Sequence, residues 1–139
     1  VYKRQREKRP GAAAEAYRKA VSLYRGDFLA EDLYLEWAIP RRERLRNLYL
    51  EALEWLALHH FRRGEYRESI HYAELILEKD GCREDAHRLL MRCYARLGQR
   101  NRALRQYHLC RETVQRELDI EPMPETTVLY ERIRSGEEV

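Results

Sequence analysis

Gly64-Glu65-Tyr66-Arg67-Glu68-Ser69-Ile70 and Gly98-Gln99-Arg100-Asn101-Arg102-Ala103-Leu104 follow one pattern, repeated after 34 residues. Each glycine closes one amphipathic run and opens the next. Five positions on stands a small residue, Ser69 or Ala103, where a second helix can approach the first closely. The correspondence extends to both sides: Ala52 answers Ala86, Leu56 answers Leu90, Ile70 answers Leu104 and Leu75 answers Leu109. A period of about 34 residues made of two helices marks a stacked repeat, in which about three pairs together bury what one pair cannot. Gly11 supplies a third glycine, with Ala16 in the small-residue position. It precedes Gly64 by 53 residues, one period plus an insertion of 19.

The helices can be laid out from this register. Ala13, Ala16, Tyr17, Ala20 and Leu23 or Tyr24 predict a helix over 11–24. A long helix is expected over 37–63, with Pro40 tolerated in its first turn. Leu45, Leu48, Tyr49, Ala52, Leu53, Leu56 and His60 form one stripe on it, and Leu50, Trp55 and Leu58 a second, so it is expected to be covered on two sides. Helices over 65–79, 83–97 and 99–118 follow, each after a glycine or a short polar turn. Glu121-Pro122-Met123-Pro124 stops the last of them, and a short helix over 125–134 closes the chain with Val128, Leu129 and Ile133 on one side. The insertion over 27–37 lacks helical periodicity, and its large apolar residues predict that it lies against the core. Residues 1–9 read as the tail of a helix whose beginning is missing. The expected fold is all-α: a single domain over 1–139 of tetratricopeptide-like antiparallel helix pairs, stacked in a right-handed arc with a C-terminal capping helix.

Composition agrees. Of 139 residues, 44% are hydrophobic and 37% charged, with only six glycines and four prolines, as suits helices with solvated outer faces. The 27 basic and 24 acidic residues nearly balance, and the one tight basic run, 3–9, carries an acid in its middle. That is a solvated helix end or linker rather than the concentrated basic face of a nucleic-acid binder. Cys82, Cys93 and Cys110 are an odd number with no C-x-x-C pair, which predicts reduced thiols in a cytoplasmic protein. No run of about 18 apolar residues is present to span a membrane. The chain starts without Met and reads as a piece of something longer.

Two groups of residues carry a resemblance to a known family. The first is Tyr24-Arg25-Gly26-Asp27-Phe28-Leu29, Trp37, Arg44-Leu45, and Tyr49, Ala52-Leu53 and Leu56-Ala57. The second is Glu84, His87-Arg88-Leu89-Leu90-Met91, Gly98-Gln99-Arg100, Ala103-Leu104, Tyr107, Glu117-Leu118 and Glu121-Pro122. Together these resemble the bacterial transcriptional activator domain of the Streptomyces antibiotic regulatory proteins and related regulators, over about 11–134. The resemblance implies a tetratricopeptide-like helical module that follows a winged-helix DNA-binding domain. Such a module supports transcription activation through oligomerisation, a homodimer included, or through contact with its DNA-binding domain or polymerase. The chain contains no such DNA-binding domain, so DNA is expected to be reached only through an upstream one.

Chemistry is sparse. No phosphate-cradling G-x-x-x-x-G-K-[ST] and no H-E-x-x-H is present. His59 and His60 are adjacent and face different ways on a helix, while His71, His87 and His108 lack ligand partners at zinc spacing. Cys93 and Cys110 read as small core residues. Cys82, in the turn before a helix, is the one thiol placed for activation. No catalytic residue, cofactor or metal site is expected, and the chain reads as no enzyme. Trp37 and Trp55, with Phe28 and Tyr34, read as core, or as a recognition patch.

The repeat register gives a sharper expectation. Asp85, Arg88, Arg92 and Arg96 form one stripe on the first helix of the second repeat, and Glu51, Glu54, Leu58, Phe61 and Arg62 occupy the matching face of the preceding repeat. This candidate groove, part basic and part apolar, suits a helix or acidic segment of another protein, because arginine forks grip carboxylates bidentately. The competing reading makes the arginines a solvated face paired with Asp85 and neighbouring acids. For the whole chain, a regulatory interaction module stands against two alternatives. One is a stand-alone adaptor scaffold that collects peptides without a transcriptional role. The other is a sensor with a small molecule between its repeats.

Overall fold

Gly64 and Gly98 both adopt φ +75°, and at each the chain leaves one helix by the same hydrogen bonds. Glu65 N–H reaches back to the His60 carbonyl at 2.8 Å and Gly64 N–H to Phe61 at 3.0 Å; Gln99 N–H reaches Tyr94 at 2.8 Å and Gly98 N–H reaches Ala95 at 3.1 Å. This double closure satisfies the last carbonyls and needs a left-handed residue, which glycine supplies without a Cβ penalty. In the computed structural model, which describes residues 10–25 and 38–139, these turns separate helices of a single stacked array. The described helices are α1 (Pro10–Arg25), α2 (Ala38–Arg62), α3 (Tyr66–Lys79), α4 (Glu84–Arg96), α5 (Arg100–Leu118) and α6 (Pro124–Arg134). The architecture is all-helical, and no strand occurs among the described residues.

Each helix packs on its neighbours in order: α1 on α2, α2 on α3, α3 on α4, α4 on α5 and α5 on α6, with α6 also returning to α4. The core is therefore three linked clusters. Ala14 and Val21 of α1 meet Leu50, Leu53 and Leu56 of α2 and Leu75 and Ile76 of α3. Ala57 and Ala73 meet Leu89, Leu90 and Cys93 of α4. Met91, Ala103, Tyr107, Leu129 and Ile133 join α4, α5 and α6. Ser69 is fully buried and donates to the Ala57 carbonyl at 2.7 Å, so the small residue of the repeat brings α3 directly onto the α2 backbone. Ala103 is likewise fully buried.

The structure departs from the sequence reading at several positions. Gly11 does not make the left-handed turn of Gly64 and Gly98: it sits in the first turn of α1 (Pro10–Arg25) and has no positive φ. Proline suits that first position because its missing N–H has no partner there anyway. Ala16 and Ala20 are exposed; Tyr17 and Tyr24 of the expected stripe pack half-buried on the core, and Ala14 and Val21 are the buried residues of that face. The third glycine of the pattern is Gly136, with φ +83°, which ends α6 by the same closure onto Arg132 and Ile133. Leu75 is buried but its counterpart Leu109 is exposed, since α5 packs on α4 and α6 through its other sides. Val128 is exposed beside buried Leu129 and Ile133. The expectations for 1–9 and 26–37, including Phe28, Tyr34 and Trp37, lie outside the described residues.

One buried histidine ties the array together. His87 is 2% exposed; its Nε2 donates to the Gly81 carbonyl at 2.8 Å, and its Nδ1 accepts from the Gln106 amide at 2.8 Å. Gly81 lies in the α3–α4 turn and Gln106 on α5, so the neutral ring links three helices. Burial lowers its pKa below the ordinary 6.5. The unfolded chain then binds a proton at higher pH than the folded one, so this contribution is complete above about pH 6.5 and is lost as pH falls toward the folded value. His59, lowered by burial and by the charge of His60, acts in the same direction. The wild-type melting temperature is expected to fall between about pH 7.5 and about pH 5, and His87→Gln, less stable throughout, to fall less steeply. Parallel slopes in the two thermal melts would show that His87 does not contribute.

Candidate functional site

Helices α2 and α4 border a cleft of ~270 Å³. Its floor is aliphatic, from Ala57 and Leu58 of α2, Ile76 of α3, and Ala86 and Leu89 of α4. Its rim is charged: Glu54, Asp85, Arg88, Arg92 and, from the first turn of α6, Glu125. Helix α3 packs on both α2 and α4 and places Ile76 in the floor of the cleft between them.

The charges on this rim are not equivalent. Arg83, just before α4, spans Glu54 at 3.3 Å and Asp85 at 3.2 Å. Burial works against ionised Asp85, but the hydrogen bonds and charge of Arg83, with the Ala86 N–H, hold its pKa below the usual carboxylate value. Two of the rim acids are thereby engaged. Arg88 is only 15% exposed; it donates to the Thr126 hydroxyl at 3.0 Å and lies 3.9 Å from Glu125. Glu84, buried beneath it, accepts from the same Thr126 hydroxyl at 2.8 Å and from Met123 N–H at 2.9 Å. A short chain of polar contacts thus fixes the start of α6 to α4.

Arg92 is different. It is half-buried on the cleft wall and, among the described residues, makes no hydrogen bond or ion pair. Burial lowers its pKa, the charges of Arg88, Arg132 and Arg96 lower it further, and the charge of Glu125 opposes them. An arginine stays charged under these conditions, so the cleft presents one open guanidinium above an aliphatic floor.

The other residues of the sequence stripe go elsewhere. Arg96 lies over the Phe61 ring at 4.7 Å, donates to Tyr66 Oη at 3.0 Å and to the Val139 main-chain oxygen at 3.2 Å. Phe61 meets Tyr66 edge-on and belongs to the second core cluster. Glu51 is exposed beside a neighbouring apolar depression of ~670 Å³ lined by Tyr17, Ala20, Leu48 and Trp55. Arg62 borders a smaller hollow with His59 and Arg63. Glu54, Leu58, Asp85, Arg88 and Arg92 therefore share one cleft, while Glu51, Phe61, Arg62 and Arg96 do not line it. Asp85, the acid that the competing reading gave to the arginine stripe, is engaged by Arg83. Sequence reasoning missed Arg83, Thr126 and Glu125. A Glu in the first turn of a helix is ordinary compensation of the helix dipole, and only the packing of α6 on α4 aims it at the arginines.

The remaining candidates have structural surroundings. Cys82 is the one thiol whose place before a helix offered activation, but burial and the nearby Asp80 raise its pKa, the opposite of what a nucleophile needs. Burial raises Cys93 and pushes Cys110 up to about 12. Trp55 is stacked between Tyr17 at 4.7 Å and His59 at 4.8 Å, partly buried against the first cluster. Among the described residues no group of three or more His, Cys, Asp or Glu is placed to hold a metal. None of their helices is long and apolar enough to cross a membrane.

Compared with known families, residues 2–134 match the one described as the bacterial transcriptional activator domain. No curated protein and no solved structure matches the chain.

Proposed function

Because the chain belongs to the bacterial transcriptional activator domain family, matched over nearly its whole length, we propose that it is the protein-interaction module of a longer bacterial regulator. In this reading it performs no catalysis. It works in the cytoplasm beside an upstream DNA-binding domain, and supports activation by holding a segment of another protein surface: a second copy, the DNA-binding domain or polymerase. The observation that carries this reading is Arg92, an unpaired cation on the wall of an aliphatic cleft. An unpaired, partly desolvated charge is costly to the free module and is compensated when a partner supplies a carboxylate.

The test is Arg92→Glu in the full-length regulator, with transcription read from a promoter it activates. A lost charge-assisted contact and a new repulsion together predict a fall of about tenfold or more, with abundance and DNA binding unchanged. Undiminished activation would remove the cleft from the mechanism.

A further inference from the structure

We infer that the cleft receives an aspartate or glutamate side chain from a partner segment with aliphatic neighbours, and that Glu125 is its built-in competitor. The inference rests on the proposed interaction role and adds the chemistry of the partner and a device that limits its affinity.

Three observations lead to it. First, of the three rim carboxylates, Glu54 and Asp85 are both engaged by Arg83, so Glu125, 3.9 Å from Arg88, is the one left to share the cleft with Arg88 and Arg92. Second, Glu125 is held loosely: its side chain is 68% exposed and its contact with Arg88 is 3.9 Å. Exposed pairs of this kind contribute little, so the carboxylate can swing away at small cost. Third, its departure leaves α6 seated. Thr126 keeps its bonds to Arg88 and Glu84, and Leu129 and Ile133 stay buried in the third core cluster. An incoming carboxylate therefore takes the place of Glu125 beside Arg88, within the cleft that Arg92 also lines, without unfolding the capping helix.

The surroundings favour an acidic protein segment over a nucleic acid. The floor offers aliphatic contact that a phosphate backbone does not use. Phosphate backbones are recognised by a broad run of cations, whereas here one guanidinium is open.

The experiment uses the full chain and fluorescence anisotropy with three labelled probes. These are a short peptide alternating glutamate and leucine, the same peptide with glutamine for glutamate, and a short DNA duplex. Glu125→Gln is expected to tighten binding of the glutamate peptide about two- to fivefold, with no effect on the glutamine peptide. Arg92→Gln is expected to weaken the glutamate peptide about tenfold or more. Thermal melts check that both variants fold, as their partly exposed positions predict. If Arg92→Gln abolishes binding but Glu125→Gln leaves it unchanged or weakens it, the competitor is overturned and the cleft stands. If neither substitution changes peptide binding, the cleft reading itself fails. DNA binding that depends on Arg92, without peptide binding, overturns the acidic-protein occupant.

Discussion

Leu53→Ala is expected to lower stability by about 3 kcal/mol, measured by urea unfolding, whereas Leu48→Ala five residues away changes it by less than about 0.5 kcal/mol. Leu53 is 0% exposed and lies where α1, α2 and α3 meet, within the cluster that also holds Leu50, Leu56, Leu75 and Ile76. Removing its isobutyl group loses the transfer free energy of the buried carbons and leaves a cavity that three helices must collapse around together. Leu48 is 58% exposed, at the edge of the apolar depression beside Tyr17 and Trp55. The pair discriminates sharply, because periodicity alone puts both leucines on one stripe. Equal costs would mean that α2 is covered where the structure leaves it open. A domain of this size has a total stability of about 5–15 kcal/mol, so the Leu53 change removes a large share of it.

That contrast also shows what the sequence holds and what it does not. The 34-residue register is local physics written twice: a left-handed glycine, a small residue five places on and apolar positions at helical spacing. Each requirement is imposed within one helix pair, so Gly64 and Gly98, Ser69 and Ala103, and Leu56 and Leu90 are all legible. Errors appear where burial depends on a third element. Ala16 matches the pattern and is exposed, and Leu109 matches Leu75 and is exposed, because a helix stripe becomes core only where another helix covers it. Gly136 was readable by the same rule as its two predecessors, but its 38-residue distance from Gly98 breaks the period.

The candidate cleft was half legible for a related reason. Arg88 and Arg92 lie four apart on one helix, and Glu54 and Leu58 four apart on another, so each pair faces one way by helix geometry alone. Which arginine stays open depends on partners distant in sequence. Arg96 is taken up by Phe61 and Tyr66, thirty or more positions upstream, and Arg88 by Thr126, 38 residues downstream. No spacing rule reaches that far.

The same long-range contacts make Glu84 the most consequential polar residue, and Glu84→Ala is expected to cost about 3 kcal/mol. Glu84 is 8% exposed, and one of its oxygens, Oε1, accepts both Met123 N–H at 2.9 Å and the Thr126 hydroxyl at 2.8 Å. No side-chain hydrogen bond caps the start of α6; Thr126 and Thr127 N–H reach the Met123 carbonyl, while this carboxylate from α4 holds the Met123 N–H and the Thr126 hydroxyl. Alanine leaves two donors without it and places the Arg88 guanidinium beside a hydroxyl no longer anchored to an acid. Glu84→Gln keeps an acceptor oxygen in the same place and is expected to recover about half of the loss. The loss should be uneven. Because α6 packs mainly on α4 and α5, while α2 and α3 rest on the other two clusters, amide hydrogen exchange should rise first in α6. Protection of α2 and α3 should change little. A rise spread evenly from α2 to α6 would instead mean that the stacked pairs open as one unit. Glu84 would then hold the whole array rather than its cap, and the α6 carboxylate that shares the cleft with Arg92 could not loosen independently of the helices behind it.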